Sequence, residues 1–379
     1  MWRKYEMKSQ ISQVLPEKFR QRHQLMLYLY DLLVDFLVKA DKYRLSDVSF
    51  EFVSEGSIDF DLFDELSKQK DVVITEKIVV PHLFFSILRD LSHYLRESLS
   101  CAERGKVTVA FTLARKPLQD SIFYLSWLLV DSQGFVEKLQ YEEPENYDVS
   151  KLKGKQDYVK TLFSSAIDII TKKKDLFGYS ELIIDSDLLY DVLFNRKAPN
   201  SLTSAFDKSI HLVTNNRNYR TEKNNLNFIF ADNKIWDDYW GLYYDKIPYV
   251  LLYIVEVVTS IFENTFEVDS DICEYNSLIR QLKTVYELGD EEHTKTIEPY
   301  FDILFDNESL VMWCDNCGNK FDFDVPLKNE IKSDYLFSCK KCGSLERVGQ
   351  YFLDEEILLK VKSITIDNSN DNKWKLVES

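Results

Sequence analysis

The feature that most constrains this chain is a pair of C-x-x-C motifs in its last quarter. Cys314 and Cys317 form the first motif, and Cys339 and Cys342 form the second. Two residues between thiolates allow both sulfurs of a tight turn to reach one ion about 2.3 Å away. A glycine follows each motif, where a left-handed backbone turn is needed. The pattern predicts two hairpins that meet at one structural Zn²⁺, which is the arrangement of a zinc ribbon.

Short apolar runs flank the two motifs, and we interpret three of them as strands: Leu310–Trp313, Asn319–Phe323 and Tyr335–Phe337. We place the ribbon at residues 305–353 and a C-terminal tail at 354–379. Four thiolates leave no position on the ion for water or substrate, so the predicted zinc is not catalytic. Acidic and basic residues balance in the ribbon, whereas a surface that grips nucleic acid is basic. The ribbon is therefore predicted to pack on the rest of the chain or on a protein partner.

Glycine and proline are scarce, with 10 Gly and 8 Pro in 379 residues, which favours long elements over a many-stranded sandwich. Apolar residues recur at helical spacing in four long segments: Phe19–Ala40, Lys155–Lys174, Trp236–Asn264 and Cys273–Leu288. A chain of this length exceeds one ordinary core and is expected to contain two or three domains. We predict a mainly α-helical bundle over residues 1–300, followed by the small β zinc ribbon.

Residues 45–78 depart from the helical pattern, and we predict a small mixed insertion there. Val48–Val53 and Val72–Ile74 have the composition of strands. Pro81 fits the first turn of the helix that follows, because its missing N–H would have no partner in that turn anyway. The mixed segment is thus expected to end just before Pro81.

The segment Val107–Asp131 is apolar around most of its circumference, which is typical of a helix at the centre of a bundle. Pro117 is expected to kink it, because the ring removes one hydrogen bond and crowds the preceding turn. Arg115 lies beside the apolar stripe, where a buried guanidinium needs acceptors. Two interpretations of Arg115 stay open: a contact with an anion or RNA phosphate at the kink, or a structural pair with a carboxylate.

The net charge of −16 restricts the expected partners. A strongly acidic surface repels phosphate backbones and anionic membranes, so general nucleic-acid binding and membrane association are not favoured, although a local basic groove is compatible with this average. The apolar run Ile247–Phe262 contains Glu256 and is shorter than the ~20 residues of a spanning helix, so it is predicted to be a buried helix. Cys101 and Cys273 stand alone outside the motifs, which is no disulfide framework and indicates a reducing, cytoplasmic location.

Catalytic signals are sparse. His211 precedes a polar loop with Arg217 and Arg220, and it is either a general acid or base or a residue that caps a helix end. With Arg115 it makes up the candidate catalytic set. The sequence contains no Gly-rich phosphate loop, H-E-x-x-H motif or G-x-S-x-G motif. An enzyme is therefore not the favoured interpretation.

The segment CAERGKVTVAFTLARKPLQDSIFYLSWLLVD, which spans Cys101–Asp131, resembles the central helix pair of uncharacterised bacterial helical-bundle families. A later segment, SAFDKSIHLVT, resembles the short Ser/His helix of those families. The resemblance extends distantly to the HEPN-like class, whose members include ribonucleases of antiphage and toxin systems. Those enzymes use an R-x4–6-H motif, whereas only three residues separate Arg89 from His93 here.

Two functional hypotheses follow. The first is a zinc-binding intracellular bacterial protein that acts as a non-catalytic binding or scaffold module, for which the resemblance implies a role in phage or stress defence. Its partner is expected to be another protein or a second copy of the chain. The alternative is a metal-independent HEPN-like ribonuclease that uses Arg115 and His211, which requires both side chains within hydrogen-bonding reach of one cleft.

Overall fold

The computed structural model describes residues 14–47, 49–51, 66, 72–172, 185–199, 201–268, 270–289, 292, 295, 299–300, 313–314, 316–348, 365–367 and 375–377. The helices are α1 (Glu17–Tyr43), α2 (Val72–Glu103), α3 (Val107–Lys116), α4 (Ile122–Val130), α5 (Ser132–Tyr141), α6 (Val149–Leu152), α7 (Gln156–Lys172), α8 (Ser186–Leu193), α9 (Leu202–Ile210), α10 (Asn233–Thr265), α11 (Ser270–Leu288) and α12 (Val325–Ser333). The strands are β1 (Ser49–Glu51), β2 (Leu336–Ser338), β3 (Leu345–Arg347), β4 (Thr365–Asp367) and β5 (Lys375–Val377). The fold is mainly α-helical with a small C-terminal β ribbon, as the sequence predicts.

Helix α10 lies at the centre of the bundle and packs against α1, α2, α3, α4 and α7. By length and composition it is the one helix among the described residues that is apolar enough to cross a membrane, but 89% of its apolar window is buried inside the protein. Its buried Glu256 faces Arg280 of α11, whose guanidinium donates two hydrogen bonds of 3.1 and 3.2 Å to the carboxylate. A core helix that carries a paired charge fits these facts, and the predicted buried helix is confirmed.

A π-helical turn, Pro117–Ser121, joins α3 to α4 at the position where the sequence predicts a kink. The backbone N–H of Ile122 donates to the carbonyl of Pro117, five residues earlier. The wider turn makes room for the proline ring without ending the helix. Within this turn the buried Gln119 side chain donates to the carbonyl of Leu193 at 2.6 Å. That bond ties the π-turn to the C-terminal end of α8.

The prediction that Pro81 begins a helix is wrong. Helix α2 begins at Val72, so Pro81 lies inside it and Val72–Ile74 is helical instead of extended. Ile78 and Val79, on the turn before the proline, are buried in the core. An interior proline costs about 3 kcal/mol, and burial of large apolar side chains contributes about 1.5–3 kcal/mol each. Packing of this first part of α2 therefore outweighs the lost hydrogen bond.

A three-stranded sheet links the tail to the N-terminal part of the chain. Strand β4 pairs in parallel with β1, where Phe50 lies opposite Ile366, and antiparallel with β5, where Ile366 lies opposite Leu376. The strand expected within Val48–Val53 is therefore present, as β1. Its partner was not expected, because pairing between segments so far apart leaves no local signal in the sequence.

The ribbon packs on the helical body, which is one of the two placements that the sequence leaves open. Tyr335 stacks on Tyr28 of α1 with ring centroids 4.7 Å apart. Arg347 of β3 donates to the backbone carbonyl of Asp31 at 3.2 Å, and its guanidinium lies 3.8 Å from the Asp31 carboxylate. An aromatic stack and a charged hydrogen bond thus connect the ribbon to the same helix.

Candidate metal centre

The first C-x-x-C motif forms a tight turn closed by two backbone hydrogen bonds. Gly318 N–H donates to the carbonyl of Cys314 at 2.8 Å, and Cys314 N–H donates to the carbonyl of Asn319 at 2.9 Å. Gly318 has a φ of 63°, in the left-handed region where glycine meets no Cβ clash. The predicted strand at Asn319–Phe323 is reduced to a single bridge between Trp313 and Lys320, since the chain turns away immediately toward α12.

The second motif repeats this turn. Gly343 N–H donates to the carbonyl of Cys339 at 2.8 Å, Cys339 N–H donates to the carbonyl of Ser344 at 2.8 Å, and Gly343 has a φ of 72°. The turn joins β2 to β3, which pair antiparallel with Phe337 opposite Glu346. Repetition of the same turn presents Cys342 beside Cys339 in the way that Cys317 lies beside Cys314.

The two turns bring all four sulfur atoms into one cluster. They lie within 4.8 Å of one another, with Cys314 Sγ 3.6 Å from Cys342 Sγ and Cys317 Sγ 3.8 Å from Cys339 Sγ. In a regular tetrahedron with metal–sulfur bonds near 2.3 Å, the sulfurs are about 3.8 Å apart. None of the four is in a disulfide. The observed separations fit one metal ion bound by four thiolates.

Three polar side chains contact the sulfurs: Asn316, Ser344 and Glu346. The Asn316 amide donates to Cys342 Sγ at 3.6 Å. The Ser344 hydroxyl oxygen lies 3.1 Å from Cys314 Sγ, 3.0 Å from Cys342 Sγ and 3.0 Å from the Glu346 carboxylate. Burial, helped by the adjoining Glu346 carboxylate, raises the pKa of Cys314 to about 12. Hydrogen bonds from Ser344 lower the pKa of Cys342 to about 5. A metal ion that binds here displaces the proton of Cys314, whereas Cys342 is ready to bind as a thiolate.

Sequence reasoning identified the four cysteines but missed Asn316, Ser344 and Glu346. The spacing of the cysteines is a local signal, because each turn holds its own pair. Glu346 is buried beside Cys314 only because β3 pairs with β2 and places alternate side chains inward. Nothing in the sequence distinguishes Glu346, which is buried, from the many exposed acidic residues of this chain.

The candidate catalytic residues lie in different settings. Arg115, half-buried in the last turn of α3, lines a cleft of about 770 Å³ together with Asp207 of α9. His211 is exposed just after α9, where its N–H donates to the Asp207 carbonyl at 3.0 Å and its carbonyl accepts from Asn227 at 2.6 Å. Of these two residues, only Arg115 is among the described residues that line the cleft. Their catalytic role stays a prediction.

The fold and the cluster define a helical protein with a C-terminal four-cysteine module that can hold a metal ion. Comparisons with protein-family models, with curated proteins and with solved structures found no match. The resemblance of Cys101–Asp131 to bacterial helical-bundle families therefore stays a prediction. Evidence on function comes from the chemistry of the site itself.

Proposed function

We propose that this protein is a non-catalytic binding or scaffold protein whose ribbon is folded around one structural Zn²⁺. The ligands are Cys314, Cys317, Cys339 and Cys342. The observation that supports this most directly is the convergence of their sulfurs within 4.8 Å. Soft thiolates select zinc or iron over magnesium and calcium. Four of them fill the tetrahedral shell of zinc, which leaves no position for a reacting water.

Folding energetics support a structural role for the ion. The apolar core of the ribbon is small and includes Phe321, Ile331, Phe337 and Val348. Burial of each such side chain contributes about 1.5–3 kcal/mol, and modules below about 70–80 residues usually add a metal or disulfides because one small core supplies little stability. Structural zinc contributes about 10–16 kcal/mol at neutral pH in comparable modules. The ion is therefore the main source of stability of the ribbon.

Docking of the ribbon on the bundle supports the scaffold role. Besides the stack of Tyr335 on Tyr28, the buried ammonium of Lys283 in α11 donates to the carbonyl of Ile331 at 2.9 Å and lies 5.1 Å from the centre of the Tyr335 ring. These contacts hold one face of the ribbon. Trp313, at the first cysteine turn, is 50% exposed. Exposed tryptophans frequently dominate protein interfaces, so the partner in this proposal is another protein or a second copy of the chain.

Metal analysis of the purified, reduced, full-length protein tests the zinc site. We expect close to one zinc ion per chain, loss of this zinc in Cys339→Ser, and retention in the matched control Cys101→Ser, whose sulfur lies outside the cluster. A protein that purifies without metal, or with iron at the same stoichiometry, contradicts the proposal.

Partner capture tests the scaffold role. Proteins retained by the wild-type chain should be lost with Cys339→Ser and weakened by Trp313→Ala, whereas Cys101→Ser should retain them. Light scattering on the same variants reports self-association. If Cys339→Ser retains the same partners and the same molecular mass as the wild type, the ribbon has no part in binding and the scaffold role proposed for it is contradicted.

A metal-independent ribonuclease is the second candidate. The position of Arg115 in a cleft favours it, whereas the absence of His211 from the described residues that line this cleft counts against it. RNA cleavage in the presence of a chelator tests it. Arg115→Gln and His211→Ala should each slow cleavage by at least about a hundredfold, which is typical for loss of a general acid or base. Absence of cleavage by the wild-type protein, or cleavage that survives both substitutions, rejects this candidate.

We also propose a bacterial cytoplasmic location, because none of the six cysteines is in a disulfide and free thiols suit a reducing compartment. A role in phage or stress defence rests on the resemblance alone. Phage plating efficiency on cells that express the wild-type chain or Cys339→Ser tests it, and equal plating on both strains and on an empty strain counts against it.

A further inference from the structure

A basic cleft lies beside the π-turn that follows α3. Five cationic side chains line it: Arg115, Lys153, Arg196, Lys197 and Arg217. Its only described acidic lining residue is Asp207. The cleft has a volume of about 770 Å³, within the roughly 300–1,000 Å³ of small-molecule sites. In a chain with a net charge of −16, the sign of the local charge is opposite to that of the whole protein.

The cations reach the cleft from separate parts of the chain. Arg115 lies in the last turn of α3, Lys153 lies between α6 and α7, Arg196 and Lys197 follow α8, and Arg217 lies in the loop after α9. A helix C-terminus favours a nearby cation, which accounts for individual positions such as Arg115. It does not account for five cations around one cavity, because like charges brought together repel. An anion in the cavity would remove this repulsion.

The single acidic residue is already engaged. Asp207 Oδ2 accepts a hydrogen bond of 2.5 Å from the Tyr219 hydroxyl and lies 3.9 Å from the Arg196 guanidinium. Four of the cationic side chains make no hydrogen bond or ion pair with any residue in the described ranges: Arg115, Lys153, Lys197 and Arg217. Arg115 and Lys153 do lie near the partly buried carboxyl of Asp120 in the π-turn, where burial raises the pKa of Asp120 and the two cations act to lower it. Asp120 therefore offsets part of their charge without a hydrogen bond or ion pair to either. The cleft has positive charge available for a ligand.

Neutral amides supply directional groups next to this charge. Asn195, Asn216, Asn218 and Gln156 line the same cleft. The amide nitrogens of Asn195 and Asn216 already donate to Asp191 and to Tyr219, whereas the side-chain amides of Asn218 and Gln156 bond to no residue in the described ranges. Each amide carries two donors and an acceptor, which match the edges of nucleobases and the hydroxyls of ribose. The bond from Gln119 to the end of α8 fixes the π-turn next to Arg115, and π-turns occur frequently at functional sites.

We propose that the basic cleft binds a nucleoside phosphate. Arg115 and Arg217 hold the phosphoryl oxygens, since a guanidinium binds phosphate through paired N–H donors. The side-chain amides of Gln156 and Asn218 contact the base or the ribose. A free nucleotide and a nucleotide within single-stranded RNA offer the same chemistry. This site is separate from the four-cysteine cluster and needs no catalysis.

Binding measurements on the full-length, metal-loaded protein test the site. Titration calorimetry with ADP and with inorganic phosphate measures the small ligands, and fluorescence anisotropy with a labelled oligouridylate measures RNA, with unlabelled ADP as competitor. Arg115→Gln and Arg217→Gln should each weaken binding about tenfold or more, which is the loss of one charged hydrogen bond.

Matched controls remove the same charge just outside the cleft. Lys116→Gln changes the residue next to Arg115. The Lys116 ammonium lies outside the cleft and pairs with Asp90 at 2.6 Å on the surface. Arg220→Gln changes an exposed residue in the same loop as Arg217. Both controls should alter affinity by less than about threefold, because exposed charges at a distance are screened.

The outcomes separate the sources and the alternatives. ADP binding that displaces the oligouridylate assigns one shared site, and binding of the oligouridylate alone assigns the ligand to RNA; both support the proposal. It is overturned if no probe binds, if controls and cleft variants weaken binding equally, or if phosphate binds as tightly as ADP. Arg217 lies in an exposed loop, so Arg217→Gln remains informative if Arg115→Gln fails to fold. Unchanged zinc content in these variants separates this test from that of the ribbon.

Discussion

Removal of Glu256 from α10 should destabilise the protein more than removal of any exposed carboxylate. The Glu256 and Arg280 side chains are 1% and 2% exposed, and the guanidinium donates to both carboxylate oxygens at 3.1 and 3.2 Å. Burial opposes the charge on Arg280, but the adjacent Glu256 carboxylate outweighs it and raises the pKa of Arg280. Glu256→Leu would therefore leave a charged guanidinium in the core.

The expected magnitude follows from this geometry. Loss of one partner from a buried ion pair costs about 3–5 kcal/mol, against a total stability of about 5–15 kcal/mol for a folded domain. Replacement of both residues, Glu256→Leu with Arg280→Leu, removes the paired charges together but leaves the buried Glu263, which also raises the pKa of Arg280, without this cation. The double variant is therefore expected to lose much less stability than the sum of the two single variants. The two substitutions should thus be strongly non-additive.

Urea unfolding of the wild type, the two single variants and the double variant forms a double-mutant cycle that measures this coupling. The control is Glu142→Leu, which breaks the half-exposed pair of Glu142 with Lys138 and should cost less than about 1 kcal/mol. A loss of under about 1 kcal/mol in Glu256→Leu, or additive losses in the double variant, would refute the reasoning. The first result would show that water or another group compensates Arg280.

Three further predictions concern His23, the four-cysteine cluster and Tyr335. Burial, with a smaller effect of Arg96, lowers the pKa of His23 to about 4 although Glu103 lies 3.7 Å away. Because His23 takes up its proton at a higher pH in the unfolded chain than in the folded protein, the free energy of unfolding should fall by about 3 kcal/mol as the pH drops from about 6.5 to about 4. Unfolding curves across this range test it, and an unchanged pH slope in His23→Gln contradicts it. Chelation should increase hydrogen exchange in residues 316–348 while α10 stays protected, and simultaneous loss of both would indicate one cooperative unit. Tyr335→Ala removes an aromatic stack and a cation–π contact, about 1–3 kcal/mol together, so ribbon amides should exchange faster while zinc is retained; loss of zinc would show that docking and metal binding are inseparable.

The elements with a local signal were predictable. Apolar periodicity located α1 and α11 to within three residues at each end, because a helix that buries one face repeats its apolar residues along the sequence. The prediction that Pro81 begins a helix was wrong, because it used only the preference of proline for the first helical turn. It left out the packing of the helical turns that precede Pro81 in α2. Strand β3 was not predicted, because its three residues form a strand only through pairing with β2 and are too few to show a pattern of their own.

Sequence alone determined the four candidate metal ligands and the helical class, since turn geometry and helical periodicity act over a few neighbouring residues. Only the tertiary structure decided where the charges gather. Arg115 and Arg217 are far apart in the chain, yet packing of α3, α8 and α9 brings them to one cleft. The same packing buries Arg280 against Glu256 and returns the tail to β1. Contacts between distant segments depend on how helices pack, and the order of residues within one segment carries no record of that packing.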